Sequence, residues 1–152
     1  MIKKWLFYLW NLYPPFVGAG IWIEDISKDF LSVRVRLKKR PWTLNIVGTQ
    51  FGGSICSMTD PFYMALLMTH LGKEYIVWDK SSSVRFRKPG RKALIANFQL
   101  TKSEIEDIKN KIALDSKMDW EREVLVKDVD GVVVAEVKKV IYIARKKSMS
   151  EV

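Results

Sequence analysis

From Phe30 to Lys38 the chain reads FLSVRVRLK, with apolar and polar residues alternating. That is the period of a strand with one face on a core and the other in water. Gly20 to Ser27 has the same character, and Lys28-Asp29 between the two predicts a turn joining a first pair of strands. Gly53 to Leu71 departs from this pattern: it is apolar nearly all round, as a buried helix is. Tyr75 to Phe86 and Ala93 to Leu100 return to strand character, and the KPGRK turn predicts a hairpin-like pair. Next comes LTKSEIEDIKNKI, where Thr101 is the expected N-cap and Glu104, three residues on, closes a capping box. Trp120 to Val129 and Val132 to Ala144 form a last pair of strands around Asp130-Gly131, a strong hairpin signal. The sum is antiparallel strands with one long buried helix after the second, an α+β chain and not a parallel βαβ array.

Ahead of the first strand, MIKKWLFYLWNLYPPF predicts a short amphipathic helix from Lys3 to Leu12, stopped by Pro14-Pro15. Two lysines before an aromatic run imitate the opening of a signal peptide. Asn11 and the prolines interrupt that run too early for a membrane span of ~20 residues, and no small-residue cleavage site follows, so no span is expected. The aromatics read as core, with an interfacial membrane anchor as the alternative.

Composition narrows the chemistry. The 152 residues suit a single domain over 1–152, with no internal repeat or linker. A formal charge of +9 draws phosphate-bearing ligands, nucleic acid, acidic proteins and anionic membrane faces alike. One cysteine, Cys56, excludes an intrachain disulfide and a cysteine-cluster metal site, and fits a reducing cytoplasm. With His70 as the sole histidine, zinc chemistry and histidine triads are disfavoured, and its place near the end of the apolar helix suits the negative end of the dipole. VRFRKPGRK gathers Arg85, Arg87, Lys88, Arg91 and Lys92 about one turn. It reads as a clamp for a phosphate-bearing or acidic ligand, or else as a solvated strand edge. Nucleic acid would feel the same charges, but neither an aromatic platform pattern nor a recognition-helix motif accompanies them, and no nucleic-acid partner is expected.

The stretch NIVGTQFGGSICSMTD then becomes specific. Asn45-x-x-Gly48-x-x-Phe51-Gly52-Gly53, followed by Asp60, resembles the Asn-x-x-Gly-x-x-His-Gly-Gly…Asp signature of hotdog-fold acyl-CoA thioesterases of the phenylacetic-acid-degradation type. The wider run, from YPPFVGAGIWI through GTQFGGSICSMTDPFYMALL to YIVWDKSSSVRFRKPG, is similar to an uncharacterised hotdog family, a domain of unknown function related to those enzymes. The resemblance implies a long central helix wrapped by a curved antiparallel sheet, with an N-terminal helix and an extra helix before the last two strands. It implies a homodimer, or two such dimers as a tetramer, with active sites at the interface. The implied activity is hydrolysis of an acyl-CoA or acyl carrier protein thioester. That needs no metal and no cofactor apart from coenzyme A as part of the substrate.

The same resemblance assigns roles. The Gly52 N–H polarises the thioester carbonyl at a helix N-terminus, Asp60 of the other subunit acts as general base or nucleophile, and Asn45 orients the water or holds the loop. Gly53, Phe51, Tyr63, Arg85, Arg87 and Lys88 are expected to contact substrate. Each has a plainer reading. Asp60-Pro61 is also a common way to start a helix, so the catalytic reading needs Pro61 to kink one. The glycines suit turns and close packing, Cys56 and Tyr63 suit a core, and Phe51 stands where the enzymes carry histidine. A non-catalytic acyl-binding module is therefore the alternative.

Overall fold

Pro14 ends one helix and begins another. In the computed structural model, which describes residues 4–146, α1 (Lys4–Leu9) runs into a 3-10 turn (Trp10–Leu12), and α2 (Pro14–Ala19) follows at once. Lys3, the expected first residue of that helix, lies outside the described residues. The helical residues end at Leu12 ahead of the prolines, as expected, and Pro14 also takes the first position of α2, where a missing N–H costs nothing. Gly20 closes α2 at φ +80°, and a Cβ there would lie 2.8 Å from the Thr43 side chain and 3.0 Å from the Lys38 carbonyl oxygen. Asn11, buried, accepts from the Ile23 N–H at 2.6 Å and donates to the Ile23 carbonyl at 3.2 Å. A carboxamide thus takes the place of a neighbouring strand, and the helices cover that edge of the sheet.

The six strands are β1 (Ile21–Ile26), β2 (Ser32–Leu37), β3 (Tyr75–Phe86), β4 (Leu94–Gln99), β5 (Lys117–Asp128) and β6 (Val133–Arg145). They form one antiparallel sheet in the order β1-β2-β4-β5-β6-β3. The β1–β2 and β5–β6 hairpins are the expected ones. The expected β3–β4 hairpin is not formed: β3 lies against β6, from Tyr75↔Arg145 to Phe86↔Ala135, while β4 lies between β2 and β5. Its cause is local. The Arg87 and Lys88 N–H groups both donate to the Val134 carbonyl, at 2.8 and 3.2 Å, which keeps the chain on β6 to the end of β3. The Gly90 carbonyl then accepts from the Gln50 N–H at 2.8 Å, so KPGRK crosses over instead of turning back. As a result β3, 12 residues long, ends the sheet.

The apolar segment packs on the inner face of the sheet as two helices, α3 (Gly52–Ser57) and α4 (Phe62–Leu71), broken around Pro61. A proline in the interior would lose a hydrogen bond and clash with the preceding turn, so the break falls where the sequence demands it. Phe62, Leu66 and Leu67 are fully buried, and the Phe62 and Phe98 ring centroids are 5.0 Å apart. Removing each such side chain from water contributes about 1.5–3 kcal/mol. Next in the chain, α5 (Lys102–Asp115) opens with the expected capping box: Glu104 N–H donates to Thr101 Oγ1 at 3.2 Å, and Thr101 N–H to Glu104 Oε2 at 2.8 Å. Its buried face is Ile105, Ile108 and Ile112. No helix among the described residues is long and apolar enough to cross a membrane.

Candidate functional site

Asp60 lies in the break between α3 and α4, its side chain 67% exposed. It does not cap α4: the residue at that position is Pro61, and no side chain bonds to the first turn. Opening the helix frees the carboxylate from a helical face.

Beneath it lies a charge that the sequence reading missed. Along β6 the inward row runs Val137, Lys139, Ile141 and Ile143, and the Lys139 side chain is only 1% exposed. Its Nζ stands 2.7 Å from Asp79 Oδ1 on β3 and 3.4 Å from Asp60 Oδ1. Burial pushes the Asp79 carboxyl above its ordinary value; Lys139 pulls it down again, and the Asp60 charge adds to the rise. Asp79 Oδ2 is buried without a hydrogen-bond partner among the described residues. The Asp79–Lys139 contact is close but falls off the hydrogen-bonding direction, so it acts through charge more than through directed bonding. The signal was present: VVAEVKKVIYI places a lysine in phase with the inward apolar residues.

Two grooves flank α3. The larger, of about 920 Å³, is lined by Leu9, Trp10, Leu12, Tyr13 and Phe16 from the N-terminal helices and by Cys56, Ser57, Asp60 and Pro61 at the break, with Ser82 of β3. Asp60 is its one acidic side chain. The smaller, of about 480 Å³, is lined by Asn45, Val47, Gln50, Gly52 and Ile55 on one side and by Phe86, Arg87, Lys88 and Arg91 on the other. No residue lines both.

The expected residues divide between these places. Asn45 holds its own loop: Oδ1 accepts from the Val47 and Thr49 N–H groups at 3.1 and 3.0 Å, and Nδ2 donates to Thr49 Oγ1 at 2.9 Å. Gly48 takes φ +75° in that turn. Gly52 and Gly53 head α3, where no earlier turn supplies a carbonyl for their N–H groups. Aromatic rings lie over both: a Cβ on Gly52 would meet Phe86 Cζ at 3.1 Å, and one on Gly53 would meet Phe51 Cε1 at 2.3 Å. Arg87 pairs with Glu136 at 2.6 Å on the rim of the smaller groove, and Lys88 lines it, whereas Arg85 lies on exposed β3 outside both grooves. Tyr63 is buried between Phe98 and Trp120, 5.2 Å from each ring centroid, and lines neither groove. His70 ties the end of α4 to the Phe30 carbonyl at 3.0 Å, far along the helix from the break. Cys56 is exposed and lines the larger groove.

The antiparallel sheet packed on a broken helix is a hotdog fold. Solved structures share it across nearly their whole length. A Pseudomonas aeruginosa protein of unknown function, described as a probable thioesterase, superposes with a TM-score of 0.85 at 20% identity over 95% of this chain and 97% of that one. A Haemophilus influenzae thioesterase gives 0.69 at 9% identity over 98% and 95%, and a mutant thioesterase from Pseudomonas aeruginosa gives 0.69 at 10% over 96% of each. The chain belongs to the family described as Domain of unknown function (DUF4442), whose model matches residues 3–143. No curated protein matches it.

Proposed function

We propose that the protein hydrolyses acyl-thioesters of coenzyme A or acyl carrier protein as a homodimer, with Asp60 as the catalytic carboxylate. The observation that carries this reading is the position of Asp60, an exposed carboxylate opening into an otherwise apolar groove large enough for an acyl chain. The basic groove with Arg87, Lys88 and Arg91 suits the phosphates of the carrier arm. Because the two grooves share no residue on one chain, a complete site forms when the larger groove of one subunit meets the smaller groove of its partner. The outer edge of β3 favours that meeting: 12 residues of strand with no neighbour on that side among the described residues are a template for a second copy, and Ser82 of this strand lines the larger groove.

In the reaction, Asp60 takes a proton from water as the water oxygen bonds to the thioester carbonyl carbon. The Gly52 N–H donates to the oxygen on which negative charge gathers. The C–S bond then breaks, and the proton passes to the departing thiolate. Asn45 keeps the loop that presents Gly52 in shape. The rings of Phe51 and Phe86 packed against the glycine pair favour a second reading, an acyl-binding module without turnover, because they take up space at the head of α3 beside the N–H groups. Acyl-CoAs of graded length, assayed for released thiol with wild type and Asp60→Asn, separate the two. Release that disappears in the variant supports the hydrolase; tight binding with no release by wild type supports the module.

A further inference from the structure

Lys139 is out of place for packing. Val137 and Ile141, its neighbours in the inward row of β6, are both fully buried, and an apolar residue between them would continue that row at no electrostatic cost. Instead the row carries an ammonium that reaches up through the gap between α3 and α4. It could not do so under an unbroken helix, because the Met58–Pro61 turn is what brings Asp60 within 3.4 Å of it. Among the described residues, two carboxylates lie within ion-pairing distance of this ammonium. Asp79 comes from β3 and Asp60 from the helix break. From β5, its register partner Arg122 is turned to Glu104 of α5, with which it forms an ion pair. On the β3 side its register partner is Ser82, a residue of the larger groove, so the ammonium lies directly below that groove's floor.

We propose that Lys139 is the positioning residue for the Asp60 carboxylate: seated on Asp79, its buried ammonium holds Asp60 in the helix break, facing the larger groove. This rests on the hydrolase reading for its consequence in turnover, but not for its geometry. Two carboxylates share one ammonium unequally. Asp79, the nearer and more buried, fixes where the ammonium sits; Asp60, the farther and exposed, is the one fixed by it. The raised Asp79 carboxyl agrees with a group placed for this purpose in spite of its burial. Lys139 never touches substrate on this account. It sets the direction of a carboxylate that otherwise has a whole turn of loop in which to swing.

Lys139→Met alone would strand the Asp79 carboxylate in the core, and Asp79→Asn alone would unseat the ammonium, so the informative step is from wild type to the double variant Asp79→Asn/Lys139→Met, which removes both buried charges at once. Across that step we expect kcat on acyl-CoA to drop about 10²-fold, the scale of a misplaced catalytic group, with KM held within a few-fold. Equal kcat in the two forms, with the fold of the double variant verified by circular dichroism, would overturn the proposal and leave the lysine a structural residue. Crystal structures of the same two forms read the position directly: Asp60 should leave its place over residue 139 in the double variant, and an unmoved Asp60 would contradict the claim. If wild type releases no thiol from any acyl-CoA, the hydrolase reading falls, and these structures alone decide the role of Lys139.

Discussion

The two grooves differ in almost every respect that bears on a ligand. One is roofed by the aromatic N-terminal helices and holds a single carboxylate; the other is a cleft between a glycine-led helix and a crossing segment that carries three cations. An apolar chain and a polyanion could hardly exchange places between them. On the proposed reading, their separation on one chain and the open outer edge of β3 serve to join the two halves of a thioester substrate across a subunit boundary. The two edges of the sheet repeat the lesson. At β1 the exposed backbone is covered in cis by Asn11 and the helices around it, while the outer edge of β3 has no strand beside it among the described residues.

Several changes would break this contrast or sharpen it. The largest effect is expected at Asp60: Asp60→Asn should lower kcat for thiol release by about 10²–10⁴-fold, the range of a lost general base, with thermal unfolding little changed because the side chain is exposed. Single replacement of its buried neighbour works the other way. Lys139→Met should cost about 3–5 kcal/mol of stability by denaturant titration, since it leaves Asp79 uncompensated. In the apolar groove, Leu12→Glu should raise KM about tenfold for long acyl chains and hardly at all for short ones, an effect of one or two buried methylenes. In the basic groove, charge reversal at Arg87 and Lys88 should raise KM several-fold whatever the acyl length, with kcat nearly constant and the difference fading in high salt.

The smallest effect concerns pH. The Asp79 carboxyl sits above its ordinary value of 3.8 in the folded protein, so on acidification the folded chain binds this proton before the unfolded chain does. The destabilisation from ionised Asp79 is therefore complete above the folded pKa and is relieved as pH falls through it toward 3.8. Denaturant titrations over that interval should show wild type gaining stability relative to Asp79→Asn as pH falls. A constant difference would mean that the carboxyl is not perturbed.

Much of the fold was legible because its signals are local. Alternation in SVRVRLKK, Asp130-Gly131 and the Thr101–Glu104 box each specify structure within a few residues, and the structure has each of them. What was lost depends on partners distant in the chain. KPGRK looks like a hairpin turn, yet hydrogen bonds to Val134 and Gln50 make it a crossover. Pro14-Pro15 is the stop it looks like, but it also starts α2. At the site, the glycine pair and Asp60 stood out by spacing, whereas Asp79 and Lys139 acquire meaning only when β3 and β6 are paired and the helix above them is broken. Lys139 alone had a signal in the sequence, an inward phase in β6, that a stricter count of alternation would have caught.

The division of one active site between two copies can be tested by complementation. Asp60→Asn and the Arg87→Glu/Lys88→Glu variant, each impaired as homodimers, are mixed under conditions that let subunits exchange, and thiol release from a long-chain acyl-CoA is followed at low substrate concentration. The account predicts that the mixture recovers turnover above the sum of its parts, because mixed dimers contain one site with an intact carboxylate from one subunit and an intact basic groove from the other. Activity of the mixture equal to that sum, with subunit exchange verified by mass, would contradict the shared site.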